Sequence, residues 1–285
     1  MLTGATHDHK RGEDVRARLA VLSEIPDEWT SAARRWREAS AELRSADGPS
    51  AADEQILCQT LVGAWPHWLS PDDATGCEAF ADRVAGWQEK ALREAQTDWS
   101  APNEAYETAA RDLLMKLMTT PGLKLRAEIA AFAQRIGPAG AANGLTQTLL
   151  KLTIPGVPDT YQGVEFWDLS LVDPDNRRPV DFAAREAALG KAETPLEAAA
   201  HWRDGAVKQA LIAATLAERA RSPRLFSEGS YEPLEIEGPD ADHVVAFART
   251  LAATRPSPSR SGRPAGAWTP PTACGWPKKC CRRTS

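Results

Sequence analysis

Residues 155–182 read PGVPDTYQGVEFWDLSLVDPDNRRPVDF, and the fold turns on how that stretch is read. A short, apolar, β-branched run, KLTIPGVPDTY at 151–161, passes into a loop punctuated by Gly and Pro and loaded with Asp, Asn, Arg, Tyr and Trp. That change of texture marks a buried strand that ends by delivering polar side chains to a ligand. Just upstream, AGAANGLTQTLL at 139–150 is small and apolar, as in a helix packed tightly against a sheet. A helix followed by a buried strand is the rhythm of an α/β barrel rather than of a bundle.

Toward the N-terminus the pattern is helical. Residues 13–25 place Val15, Leu19 and Leu22 on one face at i, i+4, i+7 spacing, opened by acidic residues and closed by Pro26. Residues 27–44 repeat the pattern with Trp29, Ala33, Trp36 and Leu43. Residues 53–64 read as a helix capped by Asp53, and 77–95 as one burying Phe80, Val84 and Trp87. Asn103 suits the N-cap of 104–119, whose inner face is Tyr106, Ala110, Leu113, Leu114 and Leu117. Residues 123–136 carry Leu125, Ile129, Phe132 and Ile136, with Gly137 as the stop. Toward the C-terminus, 195–220 reads as one long helix, and 231–249 as two strands joined by a GPDAD turn.

Bulk properties narrow the function classes. The 285 residues are 42% hydrophobic, enough for one large domain or two small ones with a sizeable core. Net charge is −5, which gives no basic footprint for nucleic acid. Residues 254–285 hold seven Lys/Arg and no acid, so the rest of the chain carries −12. That tail has six Pro and no apolar periodicity; it reads as disordered, and its mixture of Arg, Pro, Ala, Gly, Ser, Cys and Trp reads as a shifted frame of a GC-rich gene. Five cysteines, three of them in the tail, form no disulfide framework. No apolar run is long enough for a membrane helix and no signal-peptide core opens the chain, so a soluble cytoplasmic protein is expected.

The motifs that carry chemistry are few. The opening MLTGATHDHKRGED sets His7 and Asp8 after a short β-prone start and before a helix. At a barrel strand's C-terminal end, a carboxylate sits on the active face. On those residues alone, Asp8 is a solvated helix-entry acid. DPDN at 173–176 opens like a calcium loop, but positions six and twelve are Arg178 and Ala184, so the pattern fails. The five His contain no H-x-x-x-H pair, and no phosphate-cradling Gly loop is present; no metal or cofactor is expected.

PGVPDTYQGVE, continued by DPDNRRPVDF, resembles the eighth strand and following loop of the alpha-amylase superfamily of glycoside hydrolases. More narrowly, THDHKRGEDVRARLAVLSEIPDEW, DEQILCQTLVGAWP and NGLTQTLLKLTIPGVPDTYQGVEFWDLSLVDPDNRRPVDF look like the maltooligosyl trehalose synthase family. The resemblance covers residues 3–250, roughly, and departs at His9, where the family more often has Thr. It implies a mainly α chain holding the C-terminal part of a (β/α)8 barrel: the last two strands, a large helical insertion and a remnant β hairpin. The divisions it suggests are 1–12 for the end of strand seven and its active-site loop, 13–137 for the insertion, 138–222 for strand eight with its loop and helices, 223–253 for a truncated C-terminal β domain, and 254–285 for the tail.

The activity so implied is an intramolecular transglucosylation. It turns the reducing-end α-1,4 link of a maltooligosaccharide, or of a glycogen-derived α-glucan, into an α,α-1,1 link. Retaining chemistry needs a nucleophilic carboxylate and a second carboxyl that serves as acid and then base. The superfamily adds a third, which steadies the transition state, and Asp8 matches only that one. The nucleophile Asp and acid/base Glu belong to earlier strands that no part of this chain matches. The expectation is therefore a late start, a split gene or a truncated gene, and an isolated chain without synthase activity. It would serve as a non-catalytic glucan-binding piece, or complement a separate N-terminal catalytic fragment, or be a pseudogene product. His7, Lys10, Tyr161 and Gln162 are the candidate substrate-binding residues. Lys10 reads equally well as a surface lysine and Tyr161 as a barrel plug. Trp167 reads better as core than as a sugar platform. Arg177 and Arg178 pair with Asp173, Asp175 or Asp181 to fix the loop.

Overall fold

The protein is described by a computed structural model that covers residues 1–95 and 101–251. The expected disordered tail at 254–285 lies outside the described residues. A two-residue strand β1 (Leu2–Thr3) leads through a loop into α1 (Glu13–Ala20). Four more helices follow: α2 (Pro26–Ala39), α3 (Ala51–Ala64), α4 (Ala74–Ala95) and α5 (Glu104–Met118). The longest, α6, runs Leu123–Thr153 and ends near β2 (Pro158–Asp159). Beyond it come α7 (Phe182–Gly190), α8 (Pro195–Ala198), α9 (Ala206–Arg221) and α10 (Pro223–Glu228). Strands β3 (Ser230–Pro233) and β4 (Phe247–Thr250) close the described chain.

Helix starts follow local capping chemistry. Ser50, not Asp53, caps α3: its Oγ accepts the Asp53 amide at 3.2 Å and donates to the Asp53 carboxylate at 2.7 Å. Asn103 caps α5 by accepting from the Tyr106 amide at 3.1 Å. Pro26 stands in the first turn of α2, where its missing N–H costs nothing. Inward positions of α1 to α6 merge into one core that includes Val15, Trp36, Leu57, Leu61, Trp65, Phe80, Val84, Leu113, Leu117 and Ile129. Trp29, Trp36 and Phe132 meet edge to face at 5.5–5.9 Å between centroids.

Several expectations change. Gly137 does not stop a helix: it is absent from the glycines with positive φ, and α6 continues through Pro138 to Thr153. The small stretch GPAGAANG packs against α1 and α9 rather than a sheet. A Cβ on Gly140 would lie 2.7 Å from the Arg18 Cα, and one on Gly137 would touch His67 and Trp202 at 3.4 Å. Small residues are therefore the groove in which α1 lies.

The strand read over 151–161 shrinks to Pro158–Asp159 and is not buried. Lys151 and Leu152 extend α6 instead, with Leu152 1% exposed. The long helix read over 195–220 is broken at Gly205, which adopts φ 89°. A Cβ there would sit 2.9 Å from the Phe166 Cβ and 3.0 Å from the Trp167 amide nitrogen, so a glycine is needed for conformation and for close approach.

Strands β1 and β2 pair in parallel, Leu2 opposite Pro158 and Thr3 opposite Asp159. Strands β3 and β4 pair antiparallel, Ser230 opposite Thr250 through Pro233 opposite Phe247. The connection between them spans 234–246 and includes a 3-10 turn at Ala241–His243, so it is longer than a tight GPDAD turn. Arg249 fastens this pair to the helices by donating to the carbonyls of Thr153, Leu225, Phe226 and Gly229.

Because the Gly140 contact is with backbone, Gly140→Ala must push α1 from α6. We expect a loss of about 1–3 kcal/mol in urea unfolding; an unchanged midpoint would show that the two helices do not bear on each other there.

Candidate functional site

Parallel pairing of β1 and β2 sets the segments 1–14 and 158–178 side by side. The contact continues past the strands. The Gly12 amide donates to the Ser170 carbonyl at 2.7 Å, the Asp14 amide to the Asp168 carbonyl at 3.2 Å, and Arg11 bridges Leu171. Between these ties the Thr6–Lys10 loop arches outward, with His7 and Asp8 exposed. The His7 carbonyl accepts from Asn176 Nδ2 at 2.8 Å, and the Asp8 amide donates to Thr6 Oγ1 at 3.3 Å. Tyr161 is half-buried and meets the His9 ring at right angles, 6.4 Å between centroids. Gln162 is exposed.

Lys10 turns from its neighbours to α4, where its ammonium meets Glu94 Oε1 at 2.8 Å and is held above its ordinary pKa by that hydrogen bond. A surface cavity of about 480 Å³ is lined by Thr3, Gly4, Ala5, Thr6, His9, Lys10, Arg11 and Arg16. Of the five residues read as the site, the cavity takes in Lys10; His7, Asp8, Tyr161 and Gln162 are not among its walls.

The loop after β2 is fixed by ion pairs. Arg83 grips Asp175 through Nε at 2.8 Å and Nη2 at 3.0 Å, Arg178 adds a contact at 2.8 Å, and the Leu171 amide a further one at 2.8 Å. Burial alone would push the Asp175 carboxyl up; the Arg83 hydrogen bond and the two guanidinium charges outweigh it and hold it below the ordinary range. Arg177 meets Asp173 at 2.8 Å. Asp181 instead caps α7 by accepting the Ala184 amide at 2.9 Å. Trp167 is packing: its Nε1 donates to the Trp202 carbonyl at 2.6 Å and its ring edges onto His67 and Trp202.

Beneath the loop lies a buried polar cluster that the sequence reading missed. Lys208, 0% exposed, donates to Glu13 at 2.6 Å and Asp14 at 2.7 Å, and Lys151 stands 3.9 Å from Glu13. Burial works against the Lys208 ammonium; attraction to Asp14 and Glu13 outweighs it and holds the pKa above the ordinary value. Asp168 receives the Glu13 amide at 3.1 Å and so caps α1 from across the chain. Its own amide donates to Asp14 at 2.6 Å.

One turn on, Arg18 donates to the carbonyls of Val62, Gly63 and Trp65 at 3.2, 3.1 and 2.6 Å, neutralising the C-terminal end of α3. Burial lowers its pKa to about 10. Its second nitrogen faces the His67 ring at 2.9 Å. Burial, and then the charges of Arg18 and Arg203, press His67 down to about 2, so it stays neutral. One signal was available for Lys208: it occupies the inward line that Ile212 and Thr215 continue at i+4 and i+7.

No family model matches the chain. Proteins of two Mycobacterium tuberculosis strains described as "putative maltooligosyl trehalose synthase" are 41% identical over 252 residues, 87% of this chain and 29% of theirs. The solved maltooligosyltrehalose synthase of Arthrobacter ramosus superposes with a TM-score of 0.69 at 35% identity, over 86% of this chain and 30% of that one. A second maltooligosyl trehalose synthase crystal structure gives 0.73 at 30% identity, covering 86% and 32%. A hypothetical maltooligosyl trehalose synthase of Sulfolobus tokodaii gives 0.67 at 31% identity, covering 82% and 30%. The chain thus spans less than a third of the length of the relatives it matches.

Lys208→Met leaves two carboxylates buried without their ammonium. We expect a loss of about 3–5 kcal/mol in denaturant unfolding, and a loss under a tenth of that would show the cluster to be solvated. His67, neutral in the fold and with an ordinary pKa near 6.5 when unfolded, stabilises fully above that value; stability then falls with pH below it. His201, raised by its hydrogen bond to Asp204, changes its contribution only above 6.5. The unfolding midpoint should therefore drop from pH 6.5 to 5, and His67→Gln should flatten that slope; an unchanged slope would refute the assignment.

Proposed function

By sequence and by fold the chain is a relative of the maltooligosyl trehalose synthases, and from that premise we propose that it supplies one wall of a trehalose-forming transglucosylase site. The reaction is conversion of the reducing-end α-1,4 link of a maltooligosaccharide to α,α-1,1. Asp8 is the carboxylate that steadies the oxocarbenium-like transition state, and His7, Lys10, Tyr161 and Gln162 bind sugar hydroxyls. The observation that carries this reading is the exposed Asp8 on a loop beside the end of β2, where Tyr161 lies against its neighbour His9. Within that frame, 1–12 is the end of a barrel strand and its loop. Residues 13–137 are the helical insertion and 138–222 the next strand, loop and helices, the division falling inside α6. Residues 223–253 are the start of a β domain.

Retaining chemistry sets a nucleophilic carboxylate and an acid/base carboxyl about 5–5.5 Å apart across the scissile bond. We assign both to the part of the relatives' length that these 285 residues do not span. These residues would then work together with polypeptide that carries them. The open cavity beside Lys10 favours a second reading, in which the chain binds α-glucan without transforming it.

The test is incubation of the purified chain with maltopentaose, followed by assay for a non-reducing product. None is expected from the chain alone, and any would overturn the division of labour proposed here. Addition of a polypeptide covering the remaining two thirds of the relatives' length should restore product, and Asp8→Asn should reduce that restored rate by about 10²–10³-fold. Retention on immobilised glucan without restoration would favour the binding-only reading.

A further inference from the structure

Asp8 is exposed, yet the peptide plane it hangs from is held at both ends. That plane carries the His7 carbonyl and the Asp8 amide, and it is rigid, so two hydrogen bonds across it fix how the Asp8 Cα is presented. The amide donates to Thr6 Oγ1 at 3.3 Å, within the loop itself. The carbonyl accepts from Asn176 Nδ2 at 2.8 Å, across 169 residues of chain. A carbonyl only accepts, so the NH2 group of Asn176 must face it. Asn176 is 9% exposed, and its Oδ1 has no hydrogen-bond partner among the described residues. A buried acceptor left unpaired costs free energy. For packing alone an apolar side chain would serve better there; what the amide adds is its donor bond to the loop.

Asn176 is in turn anchored from α4. It sits on a 3-10 turn, Asp175–Arg177. Arg83, Lys90 and Glu94 stand at i, i+7 and i+11 on one face of α4 and reach Asp175, Asp173 and Lys10. These three ties differ in weight. The Lys10 side chain is 61% exposed and Lys90 stands 3.9 Å from Asp173; surface pairs of that kind contribute little. Arg83 holds Asp175 through two nitrogens, and the Asp175 side chain is 4% exposed; forked pairing is the strong kind. Arg83 Nη2 also donates to the Leu169 carbonyl at 3.0 Å. Position is therefore passed from α4 through Asp175 to Asn176, and from there to the plane before Asp8.

We propose that Asn176 is a positioning residue for Asp8: its amide, fixed by the Arg83–Asp175 pair, sets the peptide plane that carries the carboxylate. The His9 ring, 3.0 Å from Ser170 Oγ, holds the loop on the other side of Asp8 and does not touch that plane. That the carboxylate so held faces a glucan rests on the function proposed above; the tie itself does not.

Backbone amide relaxation by NMR on the full chain, without glucan, tests the tie. The wild-type Asp8 amide should be ordered although exposed, with an order parameter above about 0.6, the bound of flexible backbone; a lower value overturns the proposal before any variant is made. Asn176→Leu keeps the bulk and gives up the donor. It should bring the Asp8 order parameter below that bound and leave the urea midpoint unchanged, since His7 is exposed to water. An ordered Asp8 in that variant overturns the proposal. So does a lowered midpoint with loss of order throughout the core, which marks a merely structural residue. In the restored reaction, Asn176→Leu should lower kcat about 10²-fold at unchanged KM, the cost of about 1 Å of misplacement. It should add nothing to Asp8→Asn, because it acts through that residue; a full further loss there overturns positioning through Asp8. If no product is restored at all, the proposed function falls and the relaxation measurement still decides the tie.

Discussion

Lys208 between Glu13 and Asp14 is the contact on which the rest depends. Taking an ammonium and two carboxylates out of water costs several kcal/mol per ion, and only close, well-directed partners return it. Here the partners come from three helices: Glu13 and Asp14 from α1, Lys208 from α9, and Lys151 from α6. None of these helices can shift along another without leaving a buried charge alone. The cluster is not complete, because Asp14 Oδ1 has no hydrogen-bond partner among the described atoms, and it sits hard against Gly144. A polar group left so costs free energy. Its retention makes sense where α1 must start at one place, since the segment before it carries the candidate site loop.

That starting point also explains why α6 has its composition. An ionic strut of 2.6–2.7 Å draws α1 and α9 close, and the side chains between must be small. Gly137, Gly140 and Gly144 recur near the helix period and leave the channel in which Arg18 and Asp14 lie. From composition the stretch resembled a helix against a sheet, and Gly137 resembled a stop. Both inferences used true properties of small residues and assigned them the wrong neighbour. Whether a glycine ends a helix or lets another approach depends on a partner far away in sequence.

The amphipathic helices were legible because each buries a periodic apolar face, and the positions named for α2, α4 and α5 are buried or packed against the core, save Tyr106, which is half-buried and donates its hydroxyl to Asp53. Capping was legible where one side chain suited it, as at Asn103, and misplaced by three residues where Ser50 and Asp53 both qualified. Strands β1 and β2 carried no usable period, since two residues cannot alternate. The candidate site segments were singled out through resemblance, and the residues beneath them were not singled out at all. Lys208, Asp168 and Arg18 are charged, and a reading that sorts apolar from polar places them in solvent. Only the positions of Asp14, Arg18 and Lys208 on otherwise inward helix faces set them apart.

The distribution of burial bears on how the candidate site keeps its shape. Pro158 and Asp159 are half-buried or exposed, Leu2 and Thr3 likewise, and each strand has one partner among the described residues. A pair so short gives little stability of its own. The Thr6–Lys10 loop is instead referred to Asp168 and Ser170, which are fixed to the α1 start by main-chain hydrogen bonds at 2.7–3.2 Å and by the Asp168 cap. The helical core beneath is continuous from α1 to α6 and takes nothing from the strand residues. The wall bearing Asp8 thus draws its geometry from a charged strut and a helix cap inside this chain. Under the proposed function, whatever packs against that wall meets a surface already formed, and its docking does not have to meet the entropy of ordering that loop.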